Sequence, residues 1–97
     1  MSTIHNEGTE LLIQAILSLK NEEECRNFLE DLLTTRELLD LGQRILVASL
    51  LEDKLVYSEI AQRTGASSAT ISRVNRCYAY GAGGYTAVVP RLKVKET

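Results

Sequence analysis

Gly65 is the position that most constrains what this chain can fold into. Small and apolar residues flank it in a fixed order: Ile60 and Ala61 before it, Ala66 just after, Ile71 and Val74 further on. Two short helices that cross steeply need small side chains at the crossing, a turn that accepts a positive φ, and a few inward apolar residues. The sequence meets each requirement in order. Glycine enters a left-handed turn without steric cost, Ala61 lets the second helix approach, and Ala66 packs beneath the turn. Ile60, Ile71 and Val74 supply the inward faces, and Ser67 or Ser68 caps the second helix. The spacing predicts a helix-turn-helix within Tyr57 to Tyr78, built from helices over about Ser58 to Thr64 and Ser68 to Tyr80.

The rest of the chain is helical in pattern, so the expected fold class is all-α. Residues 1 to 8 are polar and read as a loose arm. A helix over about Thr9 to Lys20 carries Leu12, Ile13, Ile16, Leu17 and Leu19 as a broad apolar stripe. Asn21 followed by Glu22, Glu23 and Glu24 starts a second helix, running to Leu33 and burying Cys25, Phe28, Leu29 and Leu32. There the Asn caps a free amide, and the acids suit the positive end of the helix dipole. Thr34 with Glu37 repeats the capping box and opens a third, longest helix to about Glu52. This much apolar surface on three helices, with little chain left to cover it, predicts a homodimer.

After Tyr80, Gly81-Ala82-Gly83-Gly84 cannot continue a helix cheaply. Tyr85 to Val89 is expected as a short extended segment, Pro90 bars regular helix, and Arg91, Lys93 and Lys95 make the end basic. The 97 residues suit one folding unit. It comprises a helical dimerisation region over 1–54, the helix-turn-helix over 55–80, and a Gly-rich basic tail over 81–97.

Charge separates along this plan. The net charge of −2 hides nine acidic against three basic side chains in residues 1–40, and four acidic against eight basic in residues 41–97. An acidic body with a basic working end fits a nucleic-acid binder. The second helix of the helix-turn-helix shows where contact would occur. With Ile71, Val74 and Tyr78 inward, rotation of ~100° per residue puts Ala69, Ser72, Arg73 and Arg76 outward, and Ser68, Thr70 and Asn75 on the flanks. Serine hydroxyls serve several base edges, alanine meets a thymine methyl, and arginine grips guanine or phosphate. Ser67, Ser68, Ala69, Ser72, Arg73 and Arg76 are the candidate contacts to double-stranded DNA.

Other classes find little support. Leu11 to Leu19 is interrupted by Gln14 and Ser18 and falls short of the ~20 apolar residues that cross a bilayer. No basic segment followed by an apolar run begins the chain, so a cytoplasmic location is expected. Cys25 and Cys77 form no CxxC pair and read as buried or half-buried reduced thiols. No metal site or cofactor is expected. His5 is the sole neutral-pH base, and no nucleophile motif or phosphate loop accompanies it, so an enzyme is not expected. The alternative is a protein-interaction module that uses the helix-turn-helix to dock a partner.

From Leu32 to about Cys77 the chain resembles the tryptophan repressor superfamily, nearest its branch of tryptophan-repressor-like proteins of unknown effector. The resemblance rests on Leu33-Thr34, Gly42-Gln43-Arg44, Ser58-Glu59-Ile60 and the run Gly65-Ala66-Ser67-Ser68-Ala69-Thr70-Ile71-Ser72-Arg73. It implies an intertwined helical homodimer that represses transcription from a palindromic operator. It also implies a corepressor pocket at Thr34, Arg44, Thr70 and Arg73, with the two guanidinium planes sandwiching an aromatic ring. For Arg44 an ion pair with Asp40, four residues earlier, is the competing reading. Val74 stands where tryptophan-binding members carry glycine, so the expected small-molecule effector is other than tryptophan.

Overall fold

The computed structural model describes residues 5–92, and every regular element among them is helical. Six α-helices occur in order: α1 Glu7–Ser18, α2 Glu22–Leu32, α3 Thr35–Glu52, α4 Tyr57–Thr64, α5 Ser68–Tyr80 and α6 Gly84–Val88. A 3-10 turn, Val89–Arg91, comes last. Lys93 and Lys95, two of the three residues expected to make the end basic, lie outside the described residues. The chain divides into two compact units, one ending at Leu38 and one beginning at Leu39.

In the first unit, side chains at the helix starts set the boundaries. The Asn6 Oδ1 accepts from the Thr9 N–H at 2.7 Å, so α1 begins two residues earlier than its apolar stripe suggested and takes Gly8 into its first turn. A cap worth about 1 kcal/mol, with Glu7 and Glu10 at the positive end of the dipole, offsets the similar cost of one helical glycine. At α2 the Glu24 N–H donates to Asn21 Oδ1 at 2.8 Å, and the Glu24 carboxylate reaches back to the Lys20 N–H at 3.1 Å. At α3 the Glu37 N–H donates to Thr34 Oγ1 (3.1 Å) and the Thr34 N–H to Glu37 Oε1 (2.9 Å), the reciprocal capping box. Neither α1 nor α2 holds a buried residue. Leu32, expected inside, is 48% exposed, while Cys25, Phe28 and Leu29 are half-buried.

The second unit has a closed core. Val47, Ala48 and Leu50 of α3 meet Ile60 of α4, Ala66 of the turn, Ile71 and Val74 of α5, and Val89. The end of α3 is fixed by two backbone bonds: the Leu55 N–H donates to the Leu50 carbonyl (3.2 Å) and the Lys54 N–H to the Leu51 carbonyl (2.9 Å). Leu55 then folds onto the core that holds Leu50. This is a Schellman ending, but its left-handed position is occupied by Lys54 (φ 65°) where glycine is usual.

The segment after Tyr80 differs from the extended tail expected. Gly84–Val88 is helical, Val89 is buried in the core, and Pro90 sits in the first turn of the 3-10 turn, where its missing N–H has no partner to lose. The Tyr85 ring stacks on Tyr78, centroids 6.2 Å apart and planes 14° from parallel. That tertiary contact organises a segment whose glycines argue locally for a loop. Gly81 itself cannot vary: a Cβ there would lie 2.3 Å from the Cys77 carbonyl oxygen. Cys77, expected at least half-buried, is exposed on α5; both cysteines are free thiols. No helix among the described residues is long and apolar enough to cross a membrane.

Candidate nucleic-acid interface

The turn between α4 and α5 begins with Gly65 in the left-handed conformation (φ 73°), its N–H donating to the Ala61 carbonyl at 2.9 Å. Thr64 ties the turn from within. Its Oγ1 donates to the Ile60 carbonyl (2.7 Å) and accepts from the Ala66 N–H (3.0 Å). A second tie comes from α3, where Gln43 Nε2 donates to the Thr64 carbonyl at 3.2 Å. Ala66 is buried beneath the turn. Of the two candidate caps, Ser67 is the one used: its Oγ accepts from the Thr70 N–H at 3.1 Å, and Ser68 becomes the first helical residue. The first-turn amides left without intrahelical partners carry the positive end of the α5 dipole.

Ile71 and Val74 are buried and Tyr78 is half-buried, which fixes the rotation of α5. Ser68, Ala69, Ser72, Arg73 and Arg76 are all exposed, as is the capping Ser67. At ~100° per residue, Ala69, Arg73 and Arg76 fall within a narrow strip diametrically opposite the buried residues. No acidic residue occurs in α5 to neutralise the two guanidiniums. The strip continues to Tyr80, which is 88% exposed. Sequence reasoning misses Tyr80, although its spacing of seven from Arg73 and four from Arg76 places it on the same line. Gln43 and Thr64 are also missed as contributors. Their bond joins residues 21 apart in sequence, and no periodicity signals such a pair.

The four residues expected around an effector fall in both units. Thr34 belongs to the first unit, where its hydroxyl caps α3. Arg44, Thr70 and Arg73 belong to the second. Arg44 and Arg73 are exposed, while Thr70 is half-buried with its Oγ1 accepting from Ser67 Oγ at 3.1 Å. Val74 is only 3% exposed, so its branched side chain is core rather than the rim of an open space. Two surface clefts contain none of these four residues: one of about 220 Å³ beside Ser49, Glu52, Asp53, Val89, Pro90 and Leu92, and one of about 370 Å³ on α2. Among the described residues no group of three or more His, Cys, Asp or Glu is placed to hold a metal ion.

Comparison with known proteins places these features among relatives. The family model described as Trp repressor protein matches residues 7–93. YerC of Bacillus subtilis, itself uncharacterised, is 48% identical over 92 residues, spanning 93% of this chain and 88% of that protein. The crystal structure of a TrpR-like protein from Eubacterium eligens is 49% identical, with a TM-score of 0.85 over 95% of both chains. A crystal structure from Staphylococcus aureus, of a protein provisionally assigned as a Trp repressor, is 39% identical. Its TM-score is 0.86, over 96% of this chain and 93% of that one.

Proposed function

The chain belongs to the Trp repressor family, and from that premise we propose that it is a sequence-specific DNA-binding regulator, not an enzyme. On this reading it acts in the cytoplasm as a repressor, a homodimer that places two copies of α5 in successive major grooves of a palindromic operator. The observation that carries the reading is the outward strip of α5, where Ala69, Arg73 and Arg76 project opposite the buried Ile71 and Val74 with Ser68 and Ser72 beside them. Its composition suits both halves of DNA recognition: arginine for guanine or phosphate, and hydroxyl and methyl groups for base edges.

The homodimer reading draws on surface that a monomer leaves exposed. Leu11, Ile13, Ile16 and Leu17 of α1 are 47% to 80% exposed, and Leu39, Leu41 and Ile45 of α3 are 39% to 65% exposed. Burying such residues against a second copy contributes about 25 cal/mol per Å² of apolar surface. Residues 1–54 serve this association, 55–80 form the helix-turn-helix, and the segment 84–92 packs on it through Tyr85 and Val89. The effector on this reading is a small molecule other than tryptophan, held within the second unit by Arg44, Thr70 and Arg73, where Val74 is a buried core side chain.

The test is selection of bound duplexes from a random pool, with affinity then measured across a salt series. Expected are half-sites about one helical turn apart, roughly 34 Å, and affinity that falls steeply with salt. Arg73→Ala and Arg76→Ala each cost about 1–3 kcal/mol at a base contact, or lower the salt slope by about one at a phosphate contact. A purified protein that selects no duplex at low salt, and on which neither substitution has an effect, would instead be a protein-interaction module.

A further inference from the structure

We propose that Gln43 is a positioning residue for DNA readout: its side-chain amide braces the turn before α5 and thereby sets the angle at which the outer strip of α5 is presented. The inference rests on the DNA-binding reading and adds to it a residue outside the helix-turn-helix. Gln43 lies four and seven residues before Val47 and Leu50, so it shares the face of α3 that holds the core, both of those residues being essentially inaccessible. It is the half-buried polar end of an otherwise apolar stripe. From there its Nε2 reaches the Thr64 carbonyl at 3.2 Å.

Thr64 is the last residue of α4, where helix carbonyls have no intrahelical donor. Its side chain is already spent on the Ile60 carbonyl and the Ala66 N–H. The Thr64 carbonyl therefore takes its tie from α3, and that tie connects the body of the unit to the turn. The turn leads almost directly into the recognition strip, since Ser67 caps α5 and Ser68 is already helical. A change in backbone angle at residues 64 to 66 is thus delivered directly to Ala69, Ser72 and Arg73. At ~1.5 Å per residue, Tyr80 lies about 16 Å along α5 from Ala69, so a small tilt is a displacement of ångströms at the far end. Base-edge hydrogen bonds lose most of their strength under such displacement, whereas phosphate attraction, set by charge, does not. A brace on this turn consequently governs selectivity more than total affinity.

The experiment compares Gln43→Met, which keeps length and removes the donor, with Gln43→Lys, which restores a donor at similar reach. Three quantities are measured on the full chain: hydrogen exchange of the Gly65 and Ala66 amides, affinity for the selected operator against a scrambled duplex, and the unfolding midpoint. In Gln43→Met, exchange at both amides accelerates about five- to tenfold, the scale of one net hydrogen bond. The ratio of specific to non-specific affinity falls by a similar factor, while scrambled-duplex affinity at low salt stays within about twofold. Gln43→Lys returns both exchange and ratio towards wild type, the ratio cancelling the effect of its added charge.

Unchanged exchange and an unchanged ratio in Gln43→Met overturn the proposal. So does a parallel loss of both affinities that tracks the unfolding midpoint and that Gln43→Lys does not repair, since that is the pattern of a merely structural residue. A wild-type protein that prefers no duplex sinks the DNA reading instead, and the exchange data still decide whether the brace exists.

Discussion

In the unit ending at Leu38, α1 and α2 carry leucines, isoleucines, a phenylalanine and well-made caps, yet neither helix holds a buried residue. In the unit beginning at Leu39, the remainder of α3 together with α4 and α5 encloses Val47, Leu50, Ile60 and Ile71, each at most 1% exposed. Caps and stripes form helices in both. In the second unit the turn at Gly65 also folds α4 and α5 back on α3, so that their stripes face one another. The difference shows that amphipathic pattern determines what can be buried, and chain reversal determines what is buried within one copy. On the homodimer reading it also divides the work: the unit that carries the candidate interface encloses a core of its own, and the other leaves most of its apolar face for association.

The sharpest way to break this comparison is in the core. Leu50→Ala is expected to cost about 2–5 kcal/mol in denaturant unfolding, because its site is enclosed on all sides and leaves a cavity. A loss below about 1 kcal/mol would mean that the second unit is no better packed than the first. Next comes concentration. If α1 and its neighbours are completed by a second copy, each tenfold rise in protein adds about 1.4 kcal/mol to apparent stability. Leu17→Asp, at a residue 80% exposed in the single chain, abolishes that dependence and converts the sedimenting species to monomer. Midpoints that ignore concentration in the unaltered protein would remove the contrast in roles. The smallest effect lies at the link between α3 and α4. Lys54→Gly relieves a left-handed lysine and raises stability by about 1 kcal/mol; a fall in the melting midpoint would show that the Lys54 side chain contributes more than its backbone costs.

How far all this could be foreseen depended on the range of the interaction involved. The caps at Asn21 and Thr34 were legible because a capping box is written within four residues. The rotation of α5 was legible because Ile71 and Val74 identify its inner face without any knowledge of what they meet. Gly65 was legible because a glycine between two short helices has one efficient use, and its φ of 73° is that use. The failures lie where a distant partner decides. Leu32 looks like a core residue in a helical wheel, but its exposure depends on which surface faces it. Gly83, Gly84 and Pro90 argue for a loose tail until Tyr85 finds Tyr78 and Val89 enters the core. Gln43 stands in the sequence only as part of the Gly42-Gln43-Arg44 motif, and no local rule aims it at Thr64. Within the candidate site, the residues sharing one helix were found together, and the brace that orients that helix was not.

The exposed apolar face of the first two helices has a genetic consequence. On the homodimer reading, a chain that keeps residues 1–54 but loses Arg73 and Arg76 still captures intact copies and spoils them, so such alleles behave as dominant. An allele that breaks the core, as Leu50→Ala would, yields chains that fail before they can pair, and behaves as recessive. Mixed expression of the two kinds of allele with the unaltered gene would therefore separate damage to the reading surface from damage to the fold, with no structure determination of either variant.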